Sequence, residues 1–272
     1  MSDVREAVRE HYGKIGAQES QVESGTDNCC QATSCCPSTG SIDAKSISKH
    51  LGYSEEQVES APEGANLGLG CGNPQSIAQL QPGEVVLDLG CGGGFDCFLA
   101  AEQVGTEGQV IGVDMTPEML QRARKNAQTM ETQNVDFRLG EIENLPIADD
   151  HIDVILSNCV INLSDQKQRV FQEAFRVLKP GGRLAISDVV ALKELPKQLQ
   201  EDIQMHMGCI AGAATVSSLE TMLSQAGFSN IQVQAQEESK HFIKRWLPGS
   251  GVENWVRSAN IEATKPTHTS HQ

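Results

Sequence analysis

The run EVVLDLGCGGGFD, residues 84–96, decides the fold of this chain. An apolar strand ends at Asp88, and Gly90, Gly92, Gly93 and Gly94 follow before a helical pattern opens at FDCFLAAEQV, 95–104. Glycines at a strand-to-helix turn adopt backbone angles closed to other residues and let a ligand approach where a Cβ would collide. A merely tight connection would use the same residues, and so would a dinucleotide pocket, so the loop alone names no ligand.

Working outward, strand and helix patterns alternate: QVIGVD then PEMLQRARKNAQ, VDFRLG, IDVILS then QKQRVFQEAFRVL, and RLAISD. Short apolar strands separated by helices predict a mainly parallel sheet with helices on both faces. Further on, two helical stretches are expected at 196–208 and 216–227, then strands NIQVQAQ and SANIEATK, whose pairing would close the sheet with an antiparallel C-terminal edge. The second strand ends in Asp114, placed to accept hydrogen bonds from two ribose hydroxyls.

Composition narrows the partners. With 36 acidic and 21 basic residues in 272, the formal charge of -15 repels phosphate backbones, so no nucleic-acid partner is expected. Apolar runs such as VIGV and LAIS fall far short of the roughly 20 residues of a membrane helix, so no membrane partner is expected either. The first residues lack an apolar signal core, which makes the cytoplasm the expected compartment and keeps thiols reduced. Nine cysteines with no CxxC spacing argue against an ordinary structural zinc site.

Five regions follow: a helix with a flexible cysteine-rich segment (1–40), a helical and loop cap carrying Cys71 (41–80), a donor-binding domain (81–190), a C-terminal substrate-binding region with the closing strands (191–265), and a flexible tail (266–272). In the first, Val4, Val8, Tyr12 and Ile15 recur near helical spacing, so the helix packs on the domain or covers a site. In the second, Ser54 with Gln57 has capping-box spacing, and PEGANLGLGCGNP, 62–74, is too glycine-rich for regular structure, which places Cys71 on a flexible connection.

DLGCGGGFD, IGVDMTPEML, LGEIENLP and VLKPGGRLAISD, in this order over residues 80–190, resemble the successive motifs of class I S-adenosylmethionine-dependent methyltransferases. The resemblance implies a Rossmann-like α/β fold with N-terminal and C-terminal substrate-binding additions. It also implies that the loop from Gly90 through Gly92 to Gly94, with Asp88, lies against the methionine part of S-adenosylmethionine. Asp114 then takes the ribose, Met115 flanks adenine, Glu141 and Ile142 meet the adenine edge, and Asn158 faces the donor.

PEGANLGLGCGNP, SNCVINL, GCIAGA and SANIEATKP extend the likeness from Leu51 onward to arsenite methyltransferases. What that implies is a substrate of trivalent arsenic, free or as a thiol complex, held by Cys71, Cys159 and Cys209, with a thiol reductant such as glutathione or thioredoxin. Thiolates select soft acceptors, and arsenic held by two or three sulfurs keeps a lone pair for attack on a methyl group. In this picture Cys159 and Cys209 form the persistent pair and Cys71 is a more mobile third ligand.

Cys91 and Cys97, inside the donor loop and its helix, read as small core hydrophobes. Cys29, Cys30, Cys35 and Cys36 form two adjacent pairs, open to metalloid capture, a zinc-type cluster or no role. Two other functions compete: methylation of a carbon or oxygen acceptor such as a quinone precursor, and a non-catalytic metalloid-binding or sensing protein on the same fold.

Overall fold

The computed structural model describes residues 3–17, 44–197, 209–246 and 249–267. The four N-terminal cysteines and most of the helix expected at 196–208 lie outside the described residues. Among the described residues, four helices precede the sheet: α1 (Asp3–Ala17), α2 (Ala44–His50), α3 (Glu55–Ser60) and α4 (Gln75–Ala78). The capping box of α3 is complete: Gln57 N–H donates to Ser54 Oγ at 3.1 Å, and Ser54 N–H donates to Gln57 Oε1 at 2.9 Å.

The strands are β1 (Val85–Leu89), β2 (Gln109–Asp114), β3 (Val135–Leu139), β4 (Ile152–Asn158), β5 (Leu178–Ala191), β6 (Ser229–Ala235) and β7 (Val256–Thr264). They form one sheet in the order β3-β2-β1-β4-β5-β7-β6. The first five pair in parallel, and β7 runs antiparallel to both β5 and β6. This is the Rossmann-like sheet of class I methyltransferases, with the expected antiparallel C-terminal edge.

Alternation along β1 sends its side chains into two cores. Val86 packs with residues of α4, α5 (Phe95–Val104) and α6 (Pro117–Thr129). Leu87 and Leu89 pack on the opposite face, with residues of α7 (Lys167–Val177) and α8 (Val216–Ala226). All three are fully buried, each worth ~1.5–3 kcal/mol relative to exposure.

The fifth strand in space order outgrows its sequence pattern. RLAISD spans 183–188, yet β5 runs from Leu178 to Ala191. A register shift against β4 absorbs the Lys-Pro-Gly-Gly turn, and Val189 to Ala191 pair with Ser258 to Val256 of β7. Hence β5 runs on beside and beyond the end of β4, where Cys159 N–H donates to the Ser187 carbonyl at 2.8 Å. A last helix, α9 (Lys240–Trp246), packs with Val252 and Val256 against that extension.

Candidate active site

A cleft opens over the C-terminal ends of β1, β2 and β4, where parallel α/β sheets take their ligands. Asp88, Gly90, Gly92, Asp114, Met115, Ile142 and Asn158 all line it. The glycines have distinct reasons. A Cβ on Gly90 would collide with Val160, and one on Gly93 with the Ala65 carbonyl, whereas Gly92, at φ +50°, faces open space. That open surface beside two carboxylates suits an extended, hydroxyl-bearing nucleoside with a positive end, so the residues fit S-adenosylmethionine.

Asp114 is positioned by its own loop: Gly92 N–H donates to Oδ2 at 3.0 Å and Thr116 N–H to Oδ1 at 2.8 Å. Burial raises its pKa against those bonds. Asp88 is pushed well above the carboxylate range by burial and then by Asp96.

Two expected residues stand back from the cleft. A Cβ on Gly94 would meet the rings of Phe98 and Phe137, so this glycine shapes the helix start. Glu141 is turned toward α1, accepting from Arg5 Nη1 at 3.1 Å and Arg9 Nη2 at 2.9 Å, while its neighbours Ile142 and Glu143 line the cleft. Arg5 also bonds Glu143 and Asp165, both at 3.2 Å, so α1 is strapped across the cleft and does both things its amphipathic pattern allowed. Its Tyr12 lines the cleft too, and burial above all raises its phenol.

Sequence reasoning missed a buried polar knot. Tyr53 donates to Asp96 Oδ1 at 2.8 Å, Gln75 Nε2 to the same oxygen at 3.2 Å, and Asn158 Nδ2 to the Tyr53 hydroxyl at 3.0 Å. Asn158 also reaches the 62–74 loop, where its Oδ1 accepts from Cys71 N–H at 3.0 Å and its Nδ2 donates to the Gly72 carbonyl at 2.9 Å. Gly70 must be glycine for this approach, because its Cβ would lie 2.7 Å from Asn158 Nδ2.

Cys71 therefore differs from the expectation for a flexible connection. The loop is irregular, yet Cys71 is 1% exposed, and its carbonyl accepts from Ser258 Oγ of β7 at 2.6 Å. Its sulfur sits 3.6 Å from the Ser187 carbonyl of β5.

The three cysteines meet. Cys159, immediately after β4, has φ +60°, and Cys209 has φ +60° as well, a left-handed conformation that costs a non-glycine residue on the order of 1 kcal/mol or more. At Cys159 this turns the carbonyl toward Cys209, whose Sγ donates to it at 2.8 Å. Close packing of Gly212 on the Asn162 carbonyl presses the second cysteine's turn against the one after β4. The sulfurs of Cys71 and Cys159 and a carboxylate oxygen of Asp188 lie within 4.8 Å of one another.

Asp188 ends the RLAISD motif and is held by three donors: Val189 N–H at 2.7 Å, Asn162 Nδ2 at 2.8 Å and Ile161 N–H at 2.9 Å. Burial nonetheless pushes it up to about 6. All three thiols are raised: Cys71 by burial, Cys209 by its hydrogen bond with Cys159 and then burial. For Cys159 the bond from Cys209, which favours its thiolate, is outweighed by Cys71 and burial. The cup is a set of neutral thiols opening on the donor cleft through Cys159.

Comparison with known proteins agrees with this geometry. Residues 80–227 match a family model described as a methyltransferase domain. The fold and cleft define an S-adenosylmethionine-dependent class I methyltransferase. The chain is 48% identical to the arsenite methyltransferase of Halobacterium salinarum over 97% of its own length and 67% of that protein. It is 38% identical to the arsenite methyltransferase of Aquipseudomonas alcaligenes, over 84% of its own length and 62% of that protein. A solved structure, an arsenic(III) S-adenosylmethionine methyltransferase from Chlamydomonas reinhardtii, superposes with TM-score 0.60 at 30% identity, covering 83% of this chain and 74% of that one. The chain belongs to the arsenite methyltransferase family.

Proposed function

We propose that this protein transfers a methyl group from S-adenosylmethionine to trivalent arsenic held by Cys71, Cys159 and Cys209. One observation carries the reading: three cysteines from segments far apart in sequence converge in a buried cup whose middle member, Cys159, also lines the donor cleft. When bound, S-adenosylmethionine supplies the methyl group as an electrophile on a sulfonium sulfur. Proximity then carries most of the catalysis, because the donor is already activated.

Asp88, the glycine loop, Asp114, Met115 and Ile142 hold and orient the donor, and α1 covers it against water. Neutral thiols suit exchange with a neutral arsenic–thiol complex: each cysteine gives its proton to the thiol it displaces, so no charge is buried. Three sulfurs on one side of arsenic leave its lone pair on the other. Transfer uses that lone pair and raises arsenic to the pentavalent state, so a thiol reductant such as glutathione or thioredoxin must restore it. The setting for such thiol exchange is a reducing cytoplasm.

Incubation with labelled donor, arsenite and glutathione, followed by arsenic speciation, tests the reading. Methylated arsenicals carrying the label are expected; donor turnover confined to a quinone precursor, or tight arsenite binding without turnover, would overturn it.

A further inference from the structure

The cup holds one more potential ligand than arsenic needs. Trivalent arsenic bonds three groups in a pyramid. Soft and borderline divalent ions such as Zn2+ and Cd2+ take four in a tetrahedron. The sequence lacks the CxxC spacing of an ordinary zinc site, but the strand order supplies what spacing does not: the end of β4 brings Cys159, the tethered 62–74 loop brings Cys71, and β5 brings Asp188.

We propose that Cys71, Cys159 and Asp188, with Cys209 as fourth ligand, form a binding site for a thiophilic divalent cation. Tetrahedral ligands at roughly 2.0–2.3 Å from such an ion stand about 3.3–3.8 Å apart, a modest contraction for Cys71, Cys159 and Asp188, which already lie within 4.8 Å of one another; Cys209, whose sulfur is on the Cys159 carbonyl at 2.8 Å, would turn in from outside that group. All four side chains are buried, at 1%, 7%, 2% and 2% exposure, so the ion would be withdrawn from water.

Asp188 is preorganised for the role. Two of its three donors, Val189 N–H and Asn162 Nδ2, converge on Oδ1, while among the described residues Oδ2 accepts only Ile161 N–H and keeps a lone pair. Outer bonds of this kind fix a ligating carboxylate as firmly as they fix a ligating histidine. On binding, the cysteines release their protons to solvent and coordinate as thiolates. Occupation by a cation and occupation by arsenic exclude each other because they share Cys71 and Cys159. The cation site stands on geometry alone; the exclusion rests on the arsenic reading given above.

The probe is Cd2+, titrated into the full chain with Cys29, Cys30, Cys35 and Cys36 changed to serine, and followed by the thiolate-to-cadmium ultraviolet band. One equivalent is expected to bind, and a Cys91→Ala change in the same background should leave that stoichiometry intact. Asp188→Asn should lower Cd2+ affinity at least about tenfold more than it lowers arsenite affinity. Bound arsenite should leave as Cd2+ enters, one for one, a measurement that needs no change at Asp188.

Loss of the cadmium band on Cys91→Ala, equal loss of both ligands on Asp188→Asn, or simultaneous binding of both would overturn the proposal. If Cd2+ binds as described while arsenite does not bind at all, the cation site stands and the arsenic reading falls.

Discussion

Two thiol clusters flank the same glycine loop. Cys91 and Cys97 lie beneath it, where a Cβ on Gly112 would fall 2.8 and 2.9 Å from their sulfurs. Cys71, Cys159 and Cys209 lie beside it. All five are buried, and all have their pKa raised with burial among the causes, so neither burial nor acidity tells the clusters apart.

Their surroundings do. The lower pair packs among Phe98, Phe137 and Val110, Cys91 in the loop and Cys97 on α5, neither at positive φ, with Cys97 donating to Asp88 at 3.3 Å. In the upper cluster, two of the three cysteines occupy left-handed backbone. The lesson is that filler cysteines sit where the backbone is relaxed. A ligand set is marked by strain held in place by long-range bonds.

The sharpest attack on this contrast is Cys159→Ser or Cys209→Ser, each expected to cut arsenite methylation by about a hundredfold or more, with donor binding by calorimetry retained. Full activity in either would dissolve the distinction. Cys71→Ser should be milder, about tenfold and mainly in the KM for arsenite, since the directly bonded pair Cys159 and Cys209 remains. A larger fall in kcat than in affinity would make Cys71 the equal of the other two.

Cys97→Ala should read only as packing: a loss of ~1–2 kcal/mol in denaturant unfolding with little change in methylation rate. The smallest effect is with pH. Burial pushes Cys91 from 9.0 up to about 11, so between those values the folded chain keeps a proton the unfolded chain releases. Stability should therefore fall as pH rises through this window, by about 1.4 kcal/mol per unit at most, and Cys91→Ala should flatten that part of the unfolding profile.

The donor half was legible because each of its parts is local. Asp88, Gly90, Gly92 and Asp114 each belong to one strand and the turn after it, and their motifs carry strand, turn and side chain together. Glu141 shows where locality ends, since its direction is set by Arg5 and Arg9 on a helix 132 to 136 residues away.

The acceptor half depends on strand order, which no spacing encodes. Asp188 was visible as the end of RLAISD, but only the adjacency of β4, β5 and β7 puts it beside Cys159 and Cys71. Glycine content made the 62–74 loop read as free. Bonds to Asn158, 87 residues on, and Ser258, 187 residues on, are what hold it.

That last bond has a consequence for how the protein is made. Ser258 lies on β7, near the end of the described chain, and β7 pairs with the stretch of β5 beneath the cup. A growing chain carries Cys71, Cys159 and Cys209 out of the ribosome well before the strand that shelters them. Until β7 inserts between β5 and β6, the thiols have neither their wall nor the anchor of the 62–74 loop. Chains cut short of residue 256 would lack the β7 partner of β5 and the Ser258 bond to Cys71, so the cup is completed only when β7 is in place.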